Sequence, residues 1–521
     1  MSVYSVIPLA RPRRAVHRLN HVVDTSANIG ELIPTGRPIE CVPGDTMDIS
    51  QIITADLMPM IKPAKGNLWL ESWAFFVTND MLYRTIDSGK FTDILVSAQN
   101  PKEVLALPTL SLNTGTNWLN VGHLFDYMGY PVDIATDVSG LKIIAYPFRA
   151  YYKIWDEYFR DENLQPLSQA DSQIPTGAVI KRVNYKKDRF TSAFQSEQKG
   201  SPITLGLGKS APIRITMIDS LGETKSANLI NLTPVNDGGA VTHFDGAVSS
   251  PTLPYVAGGG YKIDVDLSQA TAVTINDLRL ANKLQKWEER LQLAGSRPKE
   301  YLLANYGICP NDETLQRPVL IGHIKTPVIV DSVIQNNPTS DSVSATKSGN
   351  GYTVSSTHFG KWTCKEFGWL IILSALRPDS NYTQGIHRSL IKSSIYDFFN
   401  PIFENLGQQE ILNCELFAQN TAADKQVWGY TDRYNEYRKI ESMTTGAMRD
   451  ITGQEDLDPW VIKRKFASLP TLSSGFIEVN PSEYDYLFNF VHSYTRPQAV
   501  IHAVNLIKAI RPISKYARPS L

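Results

Sequence analysis

The chain has 521 residues, a formal net charge of -1, 42% hydrophobic and 20% charged residues. That balance excludes a disordered chain and a globally basic nucleic-acid binder, so any nucleic-acid contact must come from local charge. The longest nearly apolar run, residues 367–376, is about half of what a membrane span needs, and the N terminus lacks a signal-peptide core, so neither insertion nor secretion is expected.

Residues 1–23 carry Arg11, Arg13, Arg14 and Arg18 without a single Asp or Glu and read as a basic N-terminal arm. His17 and His21 have the spacing of paired metal ligands on a helix. No HExxH motif accompanies them, so a surface or packed role is expected and no metal or cofactor is assigned. In residues 66–79, Trp69, Trp73, Phe75 and Val77 point one way while Leu68, Leu70, Ala74 and Phe76 point the other. A strand apolar on both faces is a buried one.

Residues 145–165 read as a short amphipathic helix. Pro147 suits a first helical position, and Tyr146, Phe148, Tyr151, Tyr152, Trp155, Tyr158 and Phe159 make a broad aromatic stripe. Lys153 with Glu157 and Asp156 with Arg160 are i,i+4 ion pairs, expected to be solvated. The ordinary reading of such a stripe is core packing.

Residues 201–260 hold nine of the 33 glycines together with strand-like runs such as 213–218, and read as a folded surface excursion. The phosphate-loop lookalike at Gly208-Lys209-Ser210 has Ile203 where a glycine is needed and Ala211-Pro212 where a helix should start, so no nucleotide site is expected. Residues 276–294 form a second helix, with Leu280, Leu284, Trp287 and Leu291 on one face and Gly295 as its cap. Residues 335–357, rich in Ser, Thr, Asn and Gly, suggest a mobile surface loop.

Strands are expected at 366–376, 427–437 and 475–479. A third helix is expected over 383–406, from the spacing of Ile386, Leu390, Ile391, Ile395 and Phe398, with Pro401 ending or kinking it. Residues 486–521 form a basic C-terminal segment with Arg496, Lys508, Arg511, Lys515 and Arg518 and no acidic residue. Both termini are therefore candidates for phosphate contact, namely Arg11, Arg13, Arg14, Arg18, Lys508, Arg511, Lys515 and Arg518. Cys41, Cys309, Cys364 and Cys414 form no CxxC pair and are expected to be buried thiols. The carboxylate pairs Asp156/Glu157 and Glu455/Asp456 are adjacent residues whose side chains diverge, and no GxSxG elbow occurs, so no catalytic residues are assigned. Alternating βα units are absent, which points to a mainly β protein with long loops and a few helices.

Blocks distributed along the chain carry a family resemblance. PFRAYYKIWDEYFRDENLQ at 147–165 is similar to a signature of the major capsid proteins of microviruses, the small icosahedral single-stranded DNA phages. HRLNHVVDTSANIGELIPTGRPIECVPGDTMDIS at 17–50, YKKDRFTSAFQSEQKG at 185–200, DLSQATAVTINDLRL at 266–280, LQRPVLIGHIKTP at 315–327, RPDSNYTQGIHR at 377–388, WGYTDRYNEYR at 428–438 and WVIKRKFASLPTLSSGFIEVNP at 460–481 resemble further blocks of that family in the same order. The chain departs from the family pattern at Ala193-Phe194 and at Lys463-Arg464.

The resemblance, nearest the gokushovirus-like branch, implies a single capsid domain over 1–521 built on an eight-stranded antiparallel jelly roll with long insertions. Sixty copies would form a T=1 shell, by way of pentamers, around circular single-stranded DNA. Residues 201–262 would be a variable insertion at the threefold axes, with a role in host attachment. The aromatic residues Tyr146 to Phe159 would serve assembly and packing. Expected partners are further copies of the chain, the genome, small basic DNA-binding, scaffolding and pilot proteins, and a host surface receptor. Assembly in the host cytoplasm and a place in the virion follow. The competing reading from another class is a β-rich carbohydrate-binding or carbohydrate-active jelly-roll protein.

Overall fold

The computed structural model describes residues 13–83, 109–111, 121–131, 142–168, 179–200, 297–336, 344–404, 406–449 and 457–516. Between 200 and 296 it also describes 203, 213–218, 224–225, 233–237, 240–245, 260–265 and 275–295. The chain, expected as one domain, divides into two compact units, 1–197 with 296–521, and 198–295. The second contains the glycine-rich interval and extends past it to include a helix.

Two antiparallel sheets of six and five strands dominate the first unit. Among the described residues, the strands of these sheets fall into eight positions along the chain. The first is Ala15–Arg18 with His21–Ala27, and the second is Ile33–Pro34 with Ile39–Cys41. Thr46–Leu57, Leu68–Thr78, Val319–Pro327, Lys347–Thr363, Gly368–Pro378 and Ala499–Arg511 follow as third to eighth. One sheet runs first, eighth, third, sixth, with Ile329–Ile334 added at its edge, and the other runs second, seventh, fourth, fifth. The C-terminal strand thus lies between the N-terminal strands and Thr46–Leu57, with His502 opposite both Asp24 and Thr54. Among the described residues, each basic terminus contributes strands to one sheet, Ala15–Arg18 and His21–Ala27 at one end and Ala499–Arg511 at the other.

Alternation explains that sheet. Along Ala499–Arg511 every second residue, from Ala499 to Ala509, is buried, and the residues between them are wholly or partly exposed. The other sheet is covered on both faces, as residues 66–79 imply: all of Leu68–Thr78 except Trp69 is buried. Phe76 and Ala74 meet Met47, Ile49, Phe359, Ile372 and Ile507 between the sheets. A buried polar seam crosses the same interior. Gln51 donates to Asn505 Oδ1 at 3.0 Å, Asn505 donates to the Thr35 carbonyl at 2.9 Å, and the Ser374 hydroxyl lies 2.6 Å from those of both Thr35 and Ser72. Each of these side chains makes at least one such bond, which ties strands of both sheets together, while Gln51 Oε1 is buried without a hydrogen-bond partner among the described residues.

Several expectations give way. Residues 335–357 are not wholly a loop, because Lys347–Thr363 is a 17-residue strand paired with Thr46–Leu57. Its glycines are required by close approach: a Cβ on Gly349 would sit 2.7 Å from the Lys62 carbonyl oxygen, and one on Gly351 2.5 Å from Leu57 Cδ1. Residues 383–406 are no long helix but three 3-10 turns, Arg388–Leu390, Ile395–Asp397 and Pro401–Phe403. Residues 475–479 hold the short helix Ser474–Ile477 rather than a strand. The strand at 427–437 stops at Asp432 and gives way to the turn Asn435–Tyr437. The expected strand at 366–376 is found as Gly368–Pro378. Cys309 is exposed, whereas Cys41, Cys364 and Cys414 are buried thiols.

In the second unit, Ile213–Ile218 pairs with Gly260–Val265 and Thr224–Lys225, and Thr233–Asp237 pairs with Ala240–Asp245. The helix Ile275–Ala294 ends at Gly295 in the left-handed region, φ 89°. The lookalike Gly208-Lys209-Ser210 lies outside the described residues.

Candidate assembly surfaces and basic termini

The aromatic segment is the helix Tyr146–Ile154, continued by a wider π turn over Trp155–Phe159. Its rings are spent on this chain's own core. Phe148 stacks on Phe125 with centroids 4.1 Å apart, Phe159 meets Trp73 edge-on at 4.9 Å, and Tyr158 packs on Phe75 at 4.9 Å. Four polar tips find backbone partners: Tyr151 donates to the Leu32 carbonyl at 2.8 Å and accepts from the Lys181 amide at 2.9 Å. Tyr152, Trp155 and Tyr158 donate to the carbonyls of Val179, Arg182 and Pro318. Burial drives the Tyr151 and Tyr152 hydroxyls far above the usual phenol range and pushes Tyr158 up to about 12.

Of the two ion pairs, Lys153–Glu157 at 3.0 Å is part-exposed, as expected, but Asp156–Arg160 at 3.8 Å is largely buried. Asp156 also accepts from the Ser168 amide and hydroxyl. Arg297 donates to the carbonyls of Asp156, Glu157 and Arg160, and Arg317 to that of Glu157. Two cations thus satisfy the carbonyls that the helix end leaves open.

The departure from the family pattern at Lys463-Arg464 is a pair of buried cations. Lys463 Nζ reaches Asp458 and the Met448 carbonyl, both at 2.9 Å. Arg464 meets Glu483 at 3.2 Å, donates to the Phe476 carbonyl and lies 4.1 Å from the Tyr185 ring centroid. A third centre joins Arg189 and Arg388 on the buried carboxylate of Glu415. Nothing in composition or periodicity pointed to these centres: Arg189 and Glu415 lie 226 residues apart, and Lys463 and Asp458, though five apart, belong to no regular helix or strand pattern.

The structure separates the candidate phosphate contacts. Arg11 and Arg518 lie outside the described residues, while Arg13, Arg14, Arg18, Lys508 and Lys515 are exposed. Arg18 and Lys508 are register partners on the open face of the six-stranded sheet. Arg511 is already engaged, with Nε 3.2 Å from the buried carboxylate of Asp45 and a bond to the Glu40 carbonyl. His17 and His21 share no ligand site: His17 bonds the Ile513 carbonyl, and His21 donates to the Leu19 carbonyl and accepts from the Arg37 amide.

Among the described residues, 386–406 and 437–449 carry many of the most exposed large apolar side chains. Leu390 is 78% exposed, Ile395 78%, Ile402 83%, Ile440 87% and Met443 81%, and Tyr396, Phe398 and Leu406 are more than half exposed. The two stretches are joined by Lys392 on the Tyr437 hydroxyl, by Phe399 against Tyr437, and by Arg438 with Glu404. Beside them lies a groove of about 580 Å³ lined by Phe190, Tyr382, Ile386, Leu390, Ile440 and Met443. Among the described residues no helix is long and apolar enough to cross a membrane.

The first unit is thus a β body whose loops expose large apolar side chains and whose main sheet holds both Ala15–Arg18 and Ala499–Arg511. The sequence model of the capsid protein (F protein) family matches residues 5–521. The chain is 29% identical to capsid protein VP1 of Chlamydia phage 1 over 99% of its length and 97% of that protein. It is 30% identical to capsid protein VP1 of Bdellovibrio phage phiMH2K over 89% of each, and 26% identical to that of Spiroplasma virus 4 over 98% and 95%. The chain therefore belongs to the capsid protein family of microviruses, whose role is structural rather than enzymatic.

Proposed function

We propose that this chain is the repeating subunit of a T=1 icosahedral phage shell of sixty copies that encloses circular single-stranded DNA. The observation that carries the reading is the strand order, first-eighth-third-sixth in one sheet and second-seventh-fourth-fifth in the other. That order is the one expected of an eight-stranded jelly roll, here with split first and second strands and one added edge strand. The exposed cations Arg13, Arg14, Arg18, Lys508 and Lys515, with Arg11 and Arg518, are the proposed contacts to genome phosphates, while Arg511 holds Asp45 and is left out. Residues 201–262 are proposed as the surface insertion at the threefold axes that contributes to host attachment. Assembly by way of pentamers in the host cytoplasm, with small basic DNA-binding, scaffolding and pilot proteins, completes the reading.

The test is reconstruction of purified particles with measurement of nuclease-protected DNA. Sixty copies around single-stranded DNA are expected; a small oligomer under every assembly condition would refute the reading. Replacing Arg11, Arg13 and Arg14 with alanine should leave shells intact and lower their DNA content, and unchanged content would remove the arm from the contact list.

A further inference from the structure

Residues 386–406 are rich in large apolar side chains, yet their three turns contain no buried residue. Local polar bonds shape the turns, and Lys392, Phe399 and Asn400 tie them to Tyr434 and Tyr437. Asp397 accepts from the amides of Ser393 and Ser394, Asn400 from that of Ile402, and His387 from that of Ser389. Such bonds fix backbone shape without burying anything, so the side chains they display lack apolar cover within this chain. Six of them, Leu390, Ile395, Tyr396, Phe398, Ile402 and Leu406, are each more than half exposed, as are Ile440 and Met443 of the neighbouring stretch. Their summed exposure is on the order of 1,000 Å², comparable with the ~800 Å² that each partner contributes to a stable interface.

The surrounding charge narrows the occupant. Arg438 stands with Glu404, His387 with Glu441 at 3.1 Å, and Arg388 with Glu415. Lys392, Lys439 and Arg449 add cations to the same stretches, but the large apolar side chains between them fit a protein surface rather than a nucleic-acid backbone or an anionic lipid surface, both of which favour a continuous basic tract. Ile395, Tyr396, Phe398, Ile402 and Leu406 project outside a groove of about 580 Å³ that Leu390, Ile440 and Met443 help to line. Such a face fits a heterologous contact that repeats around a closed ring of identical subunits.

We infer that the face formed by residues 386–406 and 437–449 is covered by a second copy of this chain, which seats an apolar side chain in the groove between Ile386 and Met443. The inference rests on the capsid-subunit reading and names one of its contacts.

The test uses the full chain, as free subunit and in particles purified from producing cells. The double variant Ile395→Glu, Ile402→Glu should keep the melting temperature and near-ultraviolet spectrum of the native subunit while particle yield falls about ten-fold or more. In a Cys309→Ser background, Ile402→Cys should react with maleimide in the free subunit and be protected in particles, and shells stripped of minor proteins should keep that protection. Native yield from the double variant, equal reactivity in subunit and particle, or protection lost on stripping would each overturn the inference. In those three outcomes particles still form, so the capsid reading stands. Failure of the native chain to form particles would instead remove that reading, and the inference with it.

Discussion

Residues 146–159 and 386–406 look alike in sequence, each placing large apolar side chains at three- and four-residue steps, and fold in opposite ways. The first is a helix whose stripe is buried against Trp73, Phe75 and Phe125. The second is a string of turns whose side chains face outward. Periodicity records only that a face is apolar, and what covers that face decides the structure. At 146–159 the cover comes from the chain itself, with Pro147 starting the helix and Arg297 and Arg317 closing its end. At 386–406 the side chains of His387, Asp397 and Asn400 bond nearby amides and outcompete the helical ladder.

That contrast is easiest to break from the inside. Phe148→Ala should cost the subunit about 3–5 kcal/mol in denaturant unfolding, because a fully buried ring stacked on Phe125 is removed and the packed site cannot collapse around the gap. Tyr151→Phe should cost less, about 1–3 kcal/mol, by leaving the Lys181 amide and Leu32 carbonyl without their partner. Ile402→Ser should change subunit stability by no more than about 0.5 kcal/mol, since its side chain is already in water. A large loss from Ile402→Ser would erase the distinction between the two regions.

The fastening of the outer face can be sharpened by pH. Burial raises the Asp458 pKa, but hydrogen bonds from Lys463 and Lys465 and their charges outweigh it, so the net shift is downward. A lowered folded-state value means that this carboxylate stabilises the fold above its unfolded pKa of about 3.9 and loses that contribution as pH falls through the folded value. Asp458→Asn should therefore flatten the acid limb of the stability profile and loosen residues near Met448, whose carbonyl Lys463 also holds. Glu31 has the opposite sign. Desolvation raises its pKa against the Asn28 hydrogen bonds, so its contribution is full below about pH 4.3 and is lost as pH rises through the folded value. Glu31→Gln should raise the melting temperature at neutral pH, as read by calorimetry.

Much of the body was legible because its signals are local. The two-faced run at 66–79 announces a covered strand, and the helix at 276–294 announces its own cap. Lys347–Thr363 was illegible because Ser, Thr and Gly resemble loop composition, although Gly349, Gly351, Thr353 and Ser355 face the interior of a strand. The alternation in Ala499–Arg511 is a local strand signal, on which Lys508 and Arg511 superimpose a basic one. The polar seam of Gln51, Asn505, Thr35, Ser374 and Ser72 exists only once strands hundreds of residues apart are side by side. The same holds for the exposed face: Leu390 and Ile395 looked like the stripe of a helix, and only the course of the backbone shows them uncovered in the subunit.

Hydrogen exchange of residues 386–406 and 146–159, compared between free subunit and assembled particle, tests the central claim most directly. The account predicts that exchange at 386–406 slows markedly on assembly while 146–159 is equally protected in both states. Unchanged exchange at 386–406 in intact particles, or protection at 146–159 that appears only on assembly, would contradict it.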